Sequence, residues 1–134
     1  MLGLGIFAFA QNTIVQFNQL PSNGQKFINK HFGAKSVSTI ILDDDIWDKD
    51  YEVILHDGTK IDLDGKGNWK EVDSKRNTLP TTIIPNSIAN YVRKSFPNTA
   101  VKQIEKKRFG YEIELTNGLD IEFNSKGQFK RISD

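Results

Sequence analysis

The chain has 134 residues, 26% of them charged and 37% hydrophobic, and a formal net charge of +1. That balance suits one compact domain or two very small ones, and it excludes disorder and membrane embedding. Near-neutrality leaves no overall field for nucleic acid or an anionic membrane, and the absence of cysteine removes disulfides, thiolate nucleophiles, iron–sulfur clusters and cysteine-based zinc sites.

Residues 1–10 form an apolar run that ends Ala8-Phe9-Ala10, an A-x-A cleavage pattern. Crossing a bilayer takes about 20 apolar residues, so this run is too short to span. It reads as the remnant of a signal peptide, which places the mature protein in the periplasm or outside the cell. No Lys or Arg precedes Lys26, so the true start is expected upstream of Met1. The alternative is a buried N-terminal strand.

Leu20-Pro21 opens a segment with Phe27, Ile28, Lys30 and Phe32. Ile84-Pro85 opens a second with Tyr91, Val92, Lys94 and Phe96 at the same spacing. Proline is favoured at a helix start, so Pro21 and Pro85 mark two helices, which Gly33 and Pro97 end. Ile88, Tyr91, Val92 and Phe96 share one helical face. The first helix has Gly24 in place of Ile88 and is expected to be weaker at its start.

Strands follow in the same order in both halves. Val37 to Leu42 and Val101 to Lys106 come first. Tyr51, Val53 and Leu55 alternate with polar positions, as do Tyr111, Ile113 and Leu115, the mark of a half-buried strand. Asp57-Gly58 and Asn117-Gly118 are tight-turn signals. Ile61 and Leu63, and Ile121 and Phe123, form return strands. Lys66-Gly67 and Lys126-Gly127 then turn the chain into final strands bearing Trp69 and Phe129. The first half carries a four-residue insertion in the acidic stretch Asp43 to Asp50. The expected fold is α+β: a tandem repeat of a helix plus a four-stranded antiparallel meander, with units at 11–73 and 84–134 and an exposed link at 74–83. The first 73 residues hold 7 basic against 11 acidic residues and the remainder 11 against 6, so the halves differ in sign.

Candidate chemistry is sparse. Asp62 to Asp73 echoes an EF-hand loop, but Lys66 and Asp73 stand where an Asp or Asn and a Glu are needed, so it reads as a hairpin turn. The acidic loop 43–50 is the candidate for a hard cation or small ligand, with Trp47 in its midst suited to a protein contact. His31 and His56 form no Ser-His-Asp triad or metal-spaced pair, no phosphate loop is present, and an open sheet offers paired carboxylates no pocket that raises one pKa. Neither catalysis nor a cofactor or resident metal is expected. Lys106-Lys107-Arg108 lacks the aromatics that nucleic-acid binding needs. The polar sheet face groups Glu52, Lys60 and Asp62 in one half with Glu112, Glu114, Asp120 and Glu122 in the other. With Trp47 and Trp69 as aromatic anchors, these are the candidate binding residues.

The Leu-Pro or Ile-Pro start, the helix ending in Phe, the Tyr-Glu-Val or Tyr-Glu-Ile strand, the Asp-Gly or Asn-Gly turn and the Lys-Gly with an aromatic two residues on resemble one family. It is the PepSY-like, beta-lactamase-inhibitor-like (BLIP-like) family of small secreted proteins common in Bacteroides relatives, and the likeness runs from Leu20 to Asp134. It implies a curved eight-stranded sheet with helices on one face, a periplasmic place, and binding or inhibition of another envelope or secreted protein. It carries no catalytic residues to transfer.

Overall fold

The structure is a computed structural model that describes residues 11–133. The signal-peptide expectation falls on residues 1–10 and lies outside the described residues. Two ten-residue helices, α1 (Ser22–His31) and α2 (Asn86–Ser95), start directly after Pro21 and Pro85. Nine strands make one antiparallel sheet in chain order: β1 (Gln11–Ile14), β2 (Val37–Asp44), β3 (Lys49–Leu55), β4 (Lys60–Asp64), β5 (Trp69–Asp73), β6 (Val101–Lys107), β7 (Gly110–Leu115), β8 (Asp120–Asn124) and β9 (Phe129–Ile132). The eight strands expected are therefore nine. The additional strand, β1, pairs Ile14 with Ile41 and Thr13 with Leu42, and covers what would otherwise be a free β2 edge.

The turns form as their sequences require. Gly58 and Gly118 take φ of 93° and 89°, and the carboxylate of Asp57 and the amide oxygen of Asn117 accept the backbone N–H groups of Thr59 and Leu119. In the EF-hand-like stretch, Asp64 Oδ1 accepts the N–H groups of Lys66 and Asn68, so that carboxylate closes a hairpin.

A single row of aliphatic side chains crosses the sheet. Ile40 pairs with Val53, Val53 with Ile61, Ile61 with Val72, Val72 with Ile104, Ile104 with Ile113 and Ile113 with Ile121. All are buried, and they join Ile28 of α1 and Ile88 and Val92 of α2 in one hydrophobic core. Both helices thus lie on one face of the sheet. The Val72–Ile104 rung fastens the first half to the second.

Gly24 has a packing reason that its helix propensity does not reveal. A Cβ there would come 2.9 Å from Leu63 Cδ1, and one on Gly67, whose φ is +87°, would come 2.7 Å from the Gly24 nitrogen. The helix start and the β4–β5 turn touch backbone to backbone, which only glycine permits. The link 74–83 is mostly exposed but carries three anchors. Ser74, Leu79 and Ile83 are buried, Ser74 Oγ donates to the carbonyls of Asn77 and Lys102, and Leu79 N–H donates to Val101 O. The segment is exposed at 75–78, 81 and 82 and is anchored to the core by these three side chains.

Ile104→Ala is expected to destabilise the protein by about 2–5 kcal/mol through a cavity at the junction of the halves. Urea denaturation followed by circular dichroism checks this as a lower midpoint at unchanged slope.

Candidate functional site

Side chains alternate across a strand, so the register that points the aliphatic row at the helices points its neighbours the other way. On that open face Glu52 pairs with Asp62, Asp62 with Glu71, Glu71 with Glu105, Glu105 with Glu112, and Glu112 with Glu122. Six carboxylates therefore stand in one row across β3 to β8. With strands about 4.8 Å apart, the row is roughly 24 Å long. A second row beside it runs Lys60, Asp73, Gln103, Glu114 and Asp120.

Cations gather toward the ends of these rows. Lys60 Nζ lies 3.0 Å from Glu52, Lys70 Nζ 2.8 Å from Asp50, and Lys102 Nζ 3.4 Å from Glu114. Lys107 Nζ lies 3.4 Å from Glu105 and 3.2 Å from Glu112, and Arg131 pairs with Glu122. Among the described residues no ion pair reaches Asp62 or Glu71, the second and third carboxylates of the row, although the charges of Lys60 and Lys70 act on Asp62 from farther away. Burial lifts the Asp62 carboxyl above its ordinary pKa. Burial, then the negative charges of Glu105 and Asp62, do the same for Glu71, although the Gln103 side-chain amide donates to it. A shallow groove of about 350 Å³ lies over the first half of the face, between Asp50, Glu52, Lys60, Asp62 and Lys70. Its lining is charged, unlike the mostly apolar lining of small-molecule pockets.

Of the expected binding residues, Glu52, Asp62, Glu112 and Glu122 fall in the first row and Lys60, Glu114 and Asp120 in the second. Trp69 stands apart from them. It faces the helices, stacks with Phe27 at 6.1 Å between ring centroids, and carries the Lys106 ammonium 4.2 Å from its ring. Trp47 is 89% exposed at the tip of the β2–β3 hairpin beside the exposed Ile46. Asp45 Oδ1 accepts the N–H groups of Trp47 and Asp48, so one carboxylate of the acidic loop builds the turn.

Three residues of this face escaped the sequence reading. Glu71 and Glu105 complete the acidic row, and the burial of their chain neighbours Val72 and Ile104 would have placed them outward. Phe109, 71% exposed at the β6–β7 hairpin, is the counterpart of Trp47 at the same end of the sheet. His31 Nδ1 lies 2.8 Å from Thr82 Oγ1, and no three His, Asp or Glu side chains converge as metal ligands among the described residues.

Because Asp62 and Glu71 hold their protons more tightly folded than unfolded, their contribution favours the fold at low pH. It is lost as pH rises through the unfolded and then the raised folded pKa. Asp62→Asn with Glu71→Gln is expected to raise the melting temperature at neutral pH and to leave it nearly unchanged at about pH 3, where both carboxyls are protonated. Thermal scans at the two pH values measure the difference.

The profile of the family described as "Putative beta-lactamase-inhibitor-like, PepSY-like" matches residues 49–131. A solved structure from Bacteroides thetaiotaomicron, described as a "putative calcium-regulated periplasmic protein", superposes with a TM-score of 0.86 at 36% identity over 92% of this chain and 97% of its own. Two periplasmic proteins from Bacteroides vulgatus, one of them described as of unknown function, superpose with TM-scores of 0.84 at 34% and 33% identity. They cover 92% of this chain and 97% and 100% of theirs. No curated protein matches the sequence. Among the described residues no helix is long and apolar enough to cross a membrane. The match over most of the chain and the full-length likeness together settle kinship: the chain belongs to the PepSY-like, beta-lactamase-inhibitor-like family and is a periplasmic protein.

Proposed function

We propose that the chain is a non-catalytic protein-binding module, inhibitor-like in mode, whose open sheet face takes a basic surface of another envelope or secreted protein. The row of six carboxylates carries this reading. Like charges directly opposite one another destabilise a sheet, and Asp62 and Glu71 face each other with only the more distant charges of Lys60 and Lys70 to offset them. A partner that brings Lys or Arg against Asp62 and Glu71 relieves that repulsion, and Trp47 and Phe109 are the exposed aromatic contacts at one end of the sheet. The groove above the first half is open and lined by charged side chains, which does not suit the enclosure of a small substrate. The equivalent registers in β2–β5 and β6–β9 support reading 11–73 and 84–134 as copies of one ancestral unit. A superposition that does not overlay Val53 on Ile113 would undo that part.

Immobilised protein exposed to periplasmic extract is expected to retain one identifiable basic protein. Retention should fall steeply with salt, as screening requires. It should also be lost in Glu71→Lys with Glu105→Lys and weakened in Trp47→Ala. Retention indifferent to those substitutions would sink the reading.

A second reading rests on the relative described as calcium-regulated and on the acidic loop 43–50 with the groove beside it. In it, a divalent cation binds between Asp43 and Asp50. Titration calorimetry with calcium is expected to show heat that disappears in Asp43→Asn with Asp50→Asn. Absence of heat in the unaltered protein removes this alternative.

A further inference from the structure

The two halves hold one strand in two different situations. Ile61 pairs with Val72, Asp62 with Glu71 and Leu63 with Trp69, with a register shift after Asp62. Ile121 pairs with Ile132, Glu122 with Arg131 and Phe123 with Phe129, with the same shift after Glu122. Val72 and Ile132, Glu71 and Arg131, and Trp69 and Phe129 thus occupy equivalent places on β5 and β9.

β5 is covered by β6. Under that cover Val72 is 0% exposed against Ile104, and Lys106 sits over Trp69. β9 pairs with β8 alone among the described residues, and there Ile132 is 46% and Phe129 43% exposed. Tyr91 stacks on one face of Phe129 at 4.9 Å, as Phe27 does on Trp69, and holds the ring in place. Ser133 N–H donates to Asp120 O. By the alternation of an antiparallel ladder, the N–H and C=O of Ile132 then point to the free side.

We propose that this free edge of β9 is a docking site for an extended segment of another polypeptide, added as an antiparallel tenth strand. That segment places an aliphatic residue opposite Ile132, an acid opposite Arg131 and a cation over Phe129. The molecule supplies the template itself, since Ile104, Glu105 and Lys106 do this on β5. Glu105 there faces another acid, Glu71, whereas an acid on β9 meets Arg131 and is better matched. Backbone hydrogen bonds to an exposed edge give such complexes their affinity and the alternating side chains their selectivity. A second copy of β9 is the poorer occupant, because Phe129–Ile132 carries Lys130 and Arg131 and no acid. Arg131, paired with Glu122, borders the end of the open acidic face, whereas the backbone edge with Ile132 and Phe129 lies outside that face, and the inference stands independently of the function proposed for it.

The test adds a peptide of sequence Val101–Lys107 to the full chain, up to millimolar concentration, and follows backbone amide shifts by NMR. Shifts at Phe129–Ile132 and slowed exchange of the Ile132 amide are expected. Ile132→Pro removes the outward N–H along with the Ile side chain, is tolerated on an edge strand, and should abolish both effects, whereas Ile132→Val, which keeps the N–H, should retain them. A peptide with Glu105→Lys should bind several-fold more weakly, and Arg131→Glu in the protein should restore it. Overturning results are an absence of shifts at β9, shifts confined to the acidic row from Glu52 to Glu122, or binding that Ile132→Pro leaves intact. A dimer of the protein alone that Ile132→Pro dissolves would assign the edge to a second copy and would equally overturn the proposal.

Discussion

The aliphatic row from Ile40 to Ile121 governs the rest of the molecule. Seven β-branched side chains on seven strands meet at matched rungs and are sealed by Ile28, Ile88 and Val92 from the helices. A slip of one residue on any strand would send its aliphatic side chain into water and a carboxylate into the core, at several kcal/mol for the pair of errors. The row therefore locks the parity of every strand. With parity locked, Glu52, Asp62, Glu71, Glu105, Glu112 and Glu122 have only one side to face.

Parity fixes where those six residues point, but it does not require them to be acids. Threonine or lysine would serve a solvated strand as well, and alternating charge would serve it better. A row of like charge, with Asp62 and Glu71 partly desolvated and held above their ordinary pKa, lowers the stability of the sheet that carries it. The helix side shows the opposite economy. There Trp69 is held between Phe27 and Lys106, and Tyr91 lies against Phe123 and Phe129, so aromatic side chains satisfy one another within the fold. Local compromise on one face beside local consistency on the other is what separates a surface kept for use from one kept for folding.

Much of this was legible in the chain. Pro21 and Pro85 announced the helices, Asp57-Gly58 and Asn117-Gly118 the turns, and the alternation around Val53 and Ile113 the half-buried strands. Each of these signals is local, so sequence spacing suffices. What escaped was non-local. Gln11–Ile14 has no strong strand pattern, and only pairing with β2 makes it one. Trp69 looked like a binding anchor because its face depends on the register shift between β4 and β5. Ser74, Leu79 and Ile83 sit in a segment whose composition is that of a loop, yet these three side chains are buried against the rest of the fold. The full acidic row needed the β5–β6 rung, which joins residues far apart in the chain.

Strand order equal to chain order has a kinetic side. Six of the eight strand pairs close across a short turn, so most native contacts cost little loop entropy. The exceptions are β1 with β2, separated by residues 15–36 and the whole of α1, and β5 with β6, separated by residues 74–100 and the whole of α2. Closure entropy weighs on those two pairings, and of them only the seam between Val72 and Ile104 joins one half of the sheet to the other.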